Sequence, residues 1–413
     1  MINTGDFNRA IFSIMPTVPP FKQDMSLTYP LYDEFWGLAK YTYRSTYTYL
    51  LYAVAHVFKL VTSTLDMRIL SAILKVIYIF TFYKLYKKIQ SDSINNFDFV
   101  VSAALILFVC SSSNIAFFPS FYQEQVLLIC LPAILLCLYD RENTKLSTFV
   151  VVISALIIGG SKSQFFYFPI MIIPFVFWLK NYRKVTLIAL IISQIICIIF
   201  VTTTPATTGF NKYHAAYYGV FAFEKMNGYQ LPEGVDSECV GIDAWGGKLD
   251  KEKGSYRSTM GGDCYKNNTH IEFSDSIREF VRHPSILLTI PFDDIVKENY
   301  TTDYFHVAKS IKMIVDKTDS WTSKLTRIKD RMVKDYKIPI SIILIAITFL
   351  ITRNKNYLII SSLTFMFLIS QLYISFFGEG YRDLSKHLFG MAFSFDAIIF
   401  ISIATVMAKI KKK

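Results

Sequence analysis

KNYRKVTLIALIISQIICIIFV, residues 180–201, sets three cations against an apolar run close to the length that crosses a bilayer. Other basic clusters recur between other apolar runs: Lys84/Lys87/Lys88, Arg141/Lys145, Arg353/Lys355 and the terminal Lys409/Lys411/Lys412/Lys413. Each follows an apolar run that would descend to the cytoplasm. The alternate loops, such as residues 111–123, carry almost no basic charge. Lys and Arg retained on the cytoplasmic side set orientation, so the pattern predicts one topology with a cytoplasmic C-terminus. It also gathers the remaining ionisable residues on the external face.

Composition agrees. The 413 residues are 53% hydrophobic and 18% charged, with mean hydropathy +0.36. This fits an all-α polytopic membrane protein better than a soluble domain. The net charge of +11 sits mostly in short cytoplasmic loops. Topology and anionic headgroups therefore explain it more simply than nucleic acid does.

Spans are predicted near 65–83, 99–117, 126–139, 147–160, 165–179, 185–201, 338–351, 357–377 and 388–407. The fourth and fifth are short and either tilt or form a hairpin with its tip at 159–164. Four regions follow: an external loop at 1–64 with an interfacial helix at 45–60, transmembrane helices at 65–203, a mixed external domain at 204–337, and C-terminal spans at 338–413. Along 45–60 the apolar positions Tyr49, Leu50, Tyr52, Ala53, His56, Val57 and Leu60 would face the interface. The topology puts residues 1–64 outside without a preceding signal, so either that segment is translocated without one or, the favoured expectation, a further helix lies upstream.

Cys110, Cys130, Cys137 and Cys197 lie in apolar runs and read as small packing residues. Cys239 and Cys264 lie in the external segment, where a disulfide is chemically permitted and two free thiols are the alternative. No spacing suggests zinc.

Four constellations could carry chemistry. In residues 3–9, NTGDFNR, Asp6 is placed as a base, or the stretch is a capped turn. In residues 111–125, SSSNIAFFPSFYQEQ, Pro119 breaks helix and leaves Tyr122 and Glu124 at a span's lip. There Glu124 is either functional or a polar cap. In 159–164, GGSKSQ, Lys162 departs from the positive-inside pattern. It either meets an anion such as phosphate or snorkels to lipid. In 378–387, GEGYRDLSKH, Arg382 and Lys386 suit phosphate. If Leu384 onward is helical, Arg382 and Lys386 share a face, as do Asp383 and His387. The alternative is a solvated hairpin loop. Asp396, deeper in the last span, needs a partner there.

These residues together resemble bacterial membrane glycosyltransferases of the GT-C class, the polyprenyl-phosphate-sugar-dependent hexosyltransferases that modify surface glycans. Residues 3–9 look like that family's Asn-x-Gly-Asp-Phe-x-Arg motif, and 120–124 like its Ser-Phe-Tyr-x-Glu motif. Lys162-x-Gln164 looks like its Lys-Pro-Gln turn, with Ser163 replacing proline. Tyr213-His214-x-x-Tyr217-Tyr218-Gly219-Val220 looks like the opening of its large external domain. Asp383-Leu384-x-Lys386-His387 looks like its Asp-Leu-x-Lys-His motif.

The resemblance implies a GT-C-like bundle and inverting transfer of a hexose, from a polyprenyl-phosphate donor such as undecaprenyl phosphate-hexose to a glycan acceptor. The site would face the exterior of a bacterial inner membrane. Asp6 is then the first candidate base and Glu124 the second. Lys162, Arg382, Lys386 and His387 would hold the donor phosphate. Arg9, Tyr122, Gln164 and Asp383 would bind substrate. A monophosphate leaving group beside cations requires no cofactor. A divalent metal, if used, would take Asp6 and Glu124 as oxygen ligands. The rivals are an O-antigen polymerase or ligase, a lipid-linked glycan transporter and a non-enzymatic scaffold. A transporter predicts internal inverted repeats, which the sequence lacks.

Overall fold

Backbone polar groups withdrawn from water must bond within their own segment, so the apolar runs fold as helices. The computed structural model describes residues 8–16, 26–35, 44–90, 96–203, 208–249, 256–302 and 320–411. Among these, five helices are long and apolar enough to span a bilayer: Met67–Gln90, Arg183–Thr202, Trp321–Thr352, Lys355–Glu379 and Phe389–Lys411. Asn96–Val109, Gln125–Leu138, Lys145–Ser161 and Ser163–Val176 are shorter apolar helices. The protein is an all-α polytopic membrane protein, with the lipid bilayer as its partner.

The chain divides into two compact units. The first comprises Met1–Thr203, Thr302–Leu368 and Ala392–Lys413. Its helices carry apolar side chains outward. On Arg183–Thr202 the exposed residues Val185, Ile188, Ile192, Ile195 and Ile199 recur every three or four positions, one face of a helix. The inward face holds Thr186, Leu190, Ser193, Gln194 and Cys197. Small and polar residues inside, with branched apolar ones outside, suit lipid as the solvent.

Two glycines set the closest approaches. A Cβ on Gly159 would lie 2.8 Å from both Cys197 Sγ and Pro169 Cδ, and one on Gly160 would lie 2.5 Å from Thr46 Cγ2. The helix Phe168–Val176 begins with Pro169 and contains Pro174. At its start the Gln194 amide inserts into the backbone ladder. Its Oε1 accepts from Ile170 N–H at 3.1 Å and its Nε2 donates to the Phe166 carbonyl at 2.9 Å. Backbone groups in hydrocarbon are re-satisfied in this way by side chains of neighbouring helices.

The interfacial stretch forms helix Thr46–Lys59, capped by Ser45. Its buried face is Tyr47, Thr48, Leu51 and Ala55. Leu50, Val57 and Leu60 point outward, as a face turned to the interface would, and the packed side is the one that meets Lys145–Ser161 through Thr46 Oγ1 and the Ile157 carbonyl, 2.7 Å apart. The expected span over 99–117 is shorter, ending at Val109. Ser111, Ser112, Ser113 and Asn114 follow, polar side chains that compete for backbone bonds. The Val109 carbonyl accepts from Tyr78 Oη at 2.9 Å and Asn114 Nδ2 at 3.0 Å.

That break anchors a buried charge pair. Lys329 Nζ lies 2.5 Å from Asp396 Oδ2, with the two side chains 3% and 2% exposed. Ser111 Oγ accepts from Lys329 at 3.1 Å, and Asn114 Nδ2 donates to Asp396 at 2.9 Å. Thr326, one turn before Lys329, meets Ser112 Oγ at 2.9 Å. Asp396 thus has the partner its position demands. Trp321–Val333 therefore packs in the first unit, and the first stretch of the second runs to Thr301, whereas the sequence suggested an external domain continuing to 337.

The second unit comprises Thr204–Thr301 and Ile369–Met391. Helix Thr208–Ala215 runs through one π-helical turn, Ala216–Val220, into Phe221–Met226. Cys239 and Cys264 form a disulfide. Helices Gly261–Asn267, Phe273–Arg282, Ser285–Thr289 and Asp294–Glu298 follow. Gly247–Lys248 pairs antiparallel with Tyr256–Arg257.

Removing one partner of a buried ion pair leaves the other charge unpaired and costs about 3–5 kcal/mol. Asp396→Ala should therefore lower the unfolding midpoint in detergent sharply. The double variant Lys329→Met/Asp396→Leu should recover most of that loss, which thermal unfolding of both variants checks.

Candidate functional site

In the first unit Pro119 ends the helical path, and Ser120 Oγ donates to the Phe117 carbonyl at 2.6 Å. Glu124 then directly precedes helix Gln125–Leu138, where the helix dipole favours a carboxylate. Lys162 joins helix Lys145–Ser161 to the turn Ser163–Phe165 in extended backbone (φ −148°, ψ 143°). Their side chains meet: Lys162 Nζ donates to Glu124 Oε1 at 2.8 Å, with side-chain exposures of 11% and 3%. The anionic partner of Lys162 in this structure is thus Glu124. Tyr122 and Gln164 are buried beside them in sequence.

Gln125 fixes the surroundings. Its Nε2 donates to Tyr47 Oη at 2.5 Å, and to the Ser120 and Tyr122 carbonyls at 3.0 and 3.1 Å. Burial, and then the nearby Glu124 charge, push the Tyr47 phenol far above its ordinary pKa, so it stays protonated. Tyr47 and Gln125 also edge an apolar cavity of about 220 Å³, walled by Leu50, Val54, Leu74, Ile129 and Ile157. A buried carboxylate, a cation and a hydrocarbon-lined cavity therefore converge on adjoining residues.

Asp6 lies outside the described residues. Arg9 is on the short helix Asn8–Ile11, its side chain outside what is described. Tyr122, Glu124, Lys162 and Gln164 belong to the first unit, and Arg382, Asp383, Lys386 and His387 to the second.

In the second unit the turn after Lys355–Glu379 docks on the π-helical segment. Tyr381 N–H donates to the Tyr218 carbonyl at 3.0 Å. Gly380 (φ 61°) comes so close that a Cβ would sit 2.4 Å from Tyr218 O and 2.6 Å from Gly219 N. π-Helical turns occur frequently at functional sites. Asp383 adopts the left-handed region (φ 44°) and starts a single turn, Leu384–His387. Arg382 therefore precedes the helix. This corrects the expected shared faces: Arg382 and Lys386 are not aligned by helical spacing, and His387 Nε2 pairs with Glu379 Oε2 at 3.1 Å.

Arg382 lies 3.6 Å from Asp243 Oδ2 and 3.8 Å from Asp383 Oδ2, and 5.5 Å over the Trp245 ring. The nitrogen that faces Asp243 is Nη1, which is buried and beyond hydrogen-bond distance of it. His214 is 1% exposed, and its Nε2 accepts from Ala244 N–H at 3.0 Å. Burial, and then the Arg382 charge, lower its pKa to about 4. His214 is thus a neutral acceptor and not an acid at neutral pH.

Sequence reasoning missed Lys329, Asp243 and the structural role of Gly380. Lys329 had one signal: Thr322, Thr326 and Lys329 fall on one helical face, a polar stripe that is buried. Asp243 carried no motif.

Two outcomes follow for the second unit. Gly380→Ala should destabilise the protein by about 1–3 kcal/mol, the order of strain at such backbone positions, read by thermal unfolding. His214 binds a proton below pH ~6.5 when unfolded but only near pH 4 when folded. Stability should then fall as pH drops through that window, by up to ~3 kcal/mol. His214→Gln should flatten that slope in unfolding measured across pH.

A family described as the YfdI N-terminal transmembrane domain matches residues 18–413. The chain is 36% identical over 419 residues to "Uncharacterized protein YfdI" of Escherichia coli (strain K12), covering 99% of this chain and 92% of that protein. No solved structure matches it. The chain belongs to the family of the YfdI N-terminal transmembrane domain.

Proposed function

We propose that this protein is a GT-C-type hexosyltransferase of the bacterial inner membrane. It transfers a hexose from a polyprenyl-phosphate donor to a surface polysaccharide or lipid-linked glycan on the extracytoplasmic face. The observation that carries this reading is the buried Glu124–Lys162 pair, 2.8 Å apart, next to the apolar cavity edged by Gln125. A lipid-linked donor has one hydrocarbon part and one anionic part, and this site offers a counterpart to each.

The chemistry follows from charge. Lys162 holds Glu124 while no anion is present. A donor phosphate competes for the Lys162 ammonium and loosens that hold. The freed carboxylate accepts the proton of an acceptor hydroxyl. The hydroxyl oxygen forms a bond to the anomeric carbon. The bond from that carbon to the phosphate oxygen breaks, and polyprenyl phosphate leaves with the electron pair. A single displacement of this kind inverts the anomeric centre. Cations positioned where negative charge develops stabilise the transition state. Arg382, Lys386 and His387 are the further groups assigned to anions, and Asp6 is the alternative base. Tyr122, Gln164, Arg9 and Asp383 are assigned to substrate hydroxyls.

The test is transfer of labelled hexose from a short-chain polyprenyl-phosphate hexose by purified protein. Glu124→Gln should lower kcat by about 10²–10⁴-fold, the usual contribution of a general base. Lys162→Ala should chiefly raise the donor KM. A folded Glu124→Gln with full activity moves the base to Asp6, which Asp6→Asn then tests. Wild-type protein that binds donor without turnover would overturn the enzyme reading in favour of a transporter or an oligosaccharide-joining protein.

A further inference from the structure

Three side chains of the second unit converge with no role in the proposed transfer. Glu224 lies on helix Phe221–Met226. Glu279 lies on helix Phe273–Arg282, and His283 is the residue that ends it. One ligand atom from each lies within 4.8 Å of the others. Glu224 is 0% exposed and Glu279 3%.

The cluster is short of positive charge and of donors. Both carboxylate oxygens of Glu224 are buried without a hydrogen-bond donor, and so is His283 Nε2. The nearby cation is Arg282, 3.4 Å from Glu279 Oε2, and its side chain is 42% exposed. Two carboxyl groups crowded in a buried place cannot both ionise cheaply. Burial, reinforced by the charge of Glu279, pushes Glu224 up to about 8. A proton shared between the carboxyls would account for this pair. It would not account for an imidazole nitrogen that is also buried, unpartnered and directed at the same point.

We propose that Glu224, Glu279 and His283 form a binding site for one divalent transition cation of the zinc or manganese class. Two carboxylates and an imidazole make a nitrogen–oxygen set that suits such ions. Calcium and magnesium prefer oxygen alone. Ligand bonds of ~2.0–2.2 Å put tetrahedral neighbours roughly 3.4 Å apart, so a small inward movement of the side chains closes the shell. The cation would cross-link helix Phe221–Met226 to helix Phe273–Arg282. Glu279 and His283 are one helical turn apart, but the third ligand comes from a separate helix. No contiguous motif therefore announces the site in the sequence.

The experiment uses the full chain, purified in detergent, stripped with EDTA and titrated with Zn²⁺ and with Mn²⁺. Calorimetry and elemental analysis read affinity and stoichiometry, and thermal unfolding reads the coupling to stability. The wild type should take up one cation per chain and melt at higher temperature with it. Glu224→Gln and His283→Ala should each weaken binding at least tenfold and lose the melting shift. His283→Ala alters the less buried ligand and keeps both carboxyls, so it carries the test if Glu224→Gln does not fold. No uptake by the wild type, or equal affinity in wild type and variants, would overturn the site. If the wild type takes up no cation and Glu224→Gln melts at or above it, the cluster is a proton-sharing carboxyl pair. Because the readout is binding, the result is independent of the glycosyltransferase reading.

Discussion

A charge withdrawn from water must be neutralised where it stands, and the buried Lys329–Asp396 pair is where this chain meets that demand between a helix of polar composition and the last span. The pair joins a helix that sequence alone assigns to a polar domain with the last span, and it does so against the break after Val109. Ser111 accepts from the ammonium, Asn114 donates to the same carboxylate oxygen, and Thr326 holds the neighbouring turn, while Asp396 Oδ1 stays buried without a hydrogen bond. Register follows from this. Sliding Trp321–Val333 by one residue would move Lys329 off Asp396 and bury an unpaired ammonium. The same logic recurs at Lys411 and Asp98, 2.7 Å apart, and at Lys162 and Glu124.

Around these pairs the helices are arranged for lipid. On Arg183–Thr202 isoleucine and valine face outward, and serine, threonine, cysteine and glutamine face inward. Close approach is set at Gly159 and Gly160, and backbone continuity at the proline-interrupted helix is kept by Gln194. None of these contacts gains much from the hydrophobic effect, because lipid is as apolar as the side chains that meet it. Specificity therefore rests on shape and on hydrogen bonds that lack any alternative partner.

Much of this was legible in the sequence. Apolar runs punctuated by cations locate most of the helices to within a few residues, because bilayer thickness fixes length, although the run over 99–117 stops at Val109 and the first span continues to Gln90. A lone Asp396 inside a span announces that a partner exists. What could not be read is which partner. Lys329 lies in a helix of polar composition, and its stripe of Thr322 and Thr326 is buried by tertiary contact and not by apolarity. Glu124 and Lys162 each stood out, yet nothing in a linear chain says that they touch. The helical spacing drawn through Arg382 and Lys386 failed because Asp383 takes a left-handed conformation, one that aspartate visits more readily than most residues but that no local pattern announces. Glu224 was invisible for a similar reason: its meaning depends on Glu279 and His283, which belong to another helix.

The account of function rests on the apolar cavity and the Glu124–Lys162 pair receiving the two halves of one lipid-linked donor. The most direct test is photo-crosslinking with a polyprenyl-phosphate hexose carrying a photoreactive group in its lipid tail, followed by peptide mapping of the intact protein. Label on the segments that contain Leu50, Ile129 and Ile157, displaced by unlabelled donor, is the predicted result. Label spread over the lipid-facing isoleucines of helix Arg183–Thr202 and unaffected by competitor would contradict it.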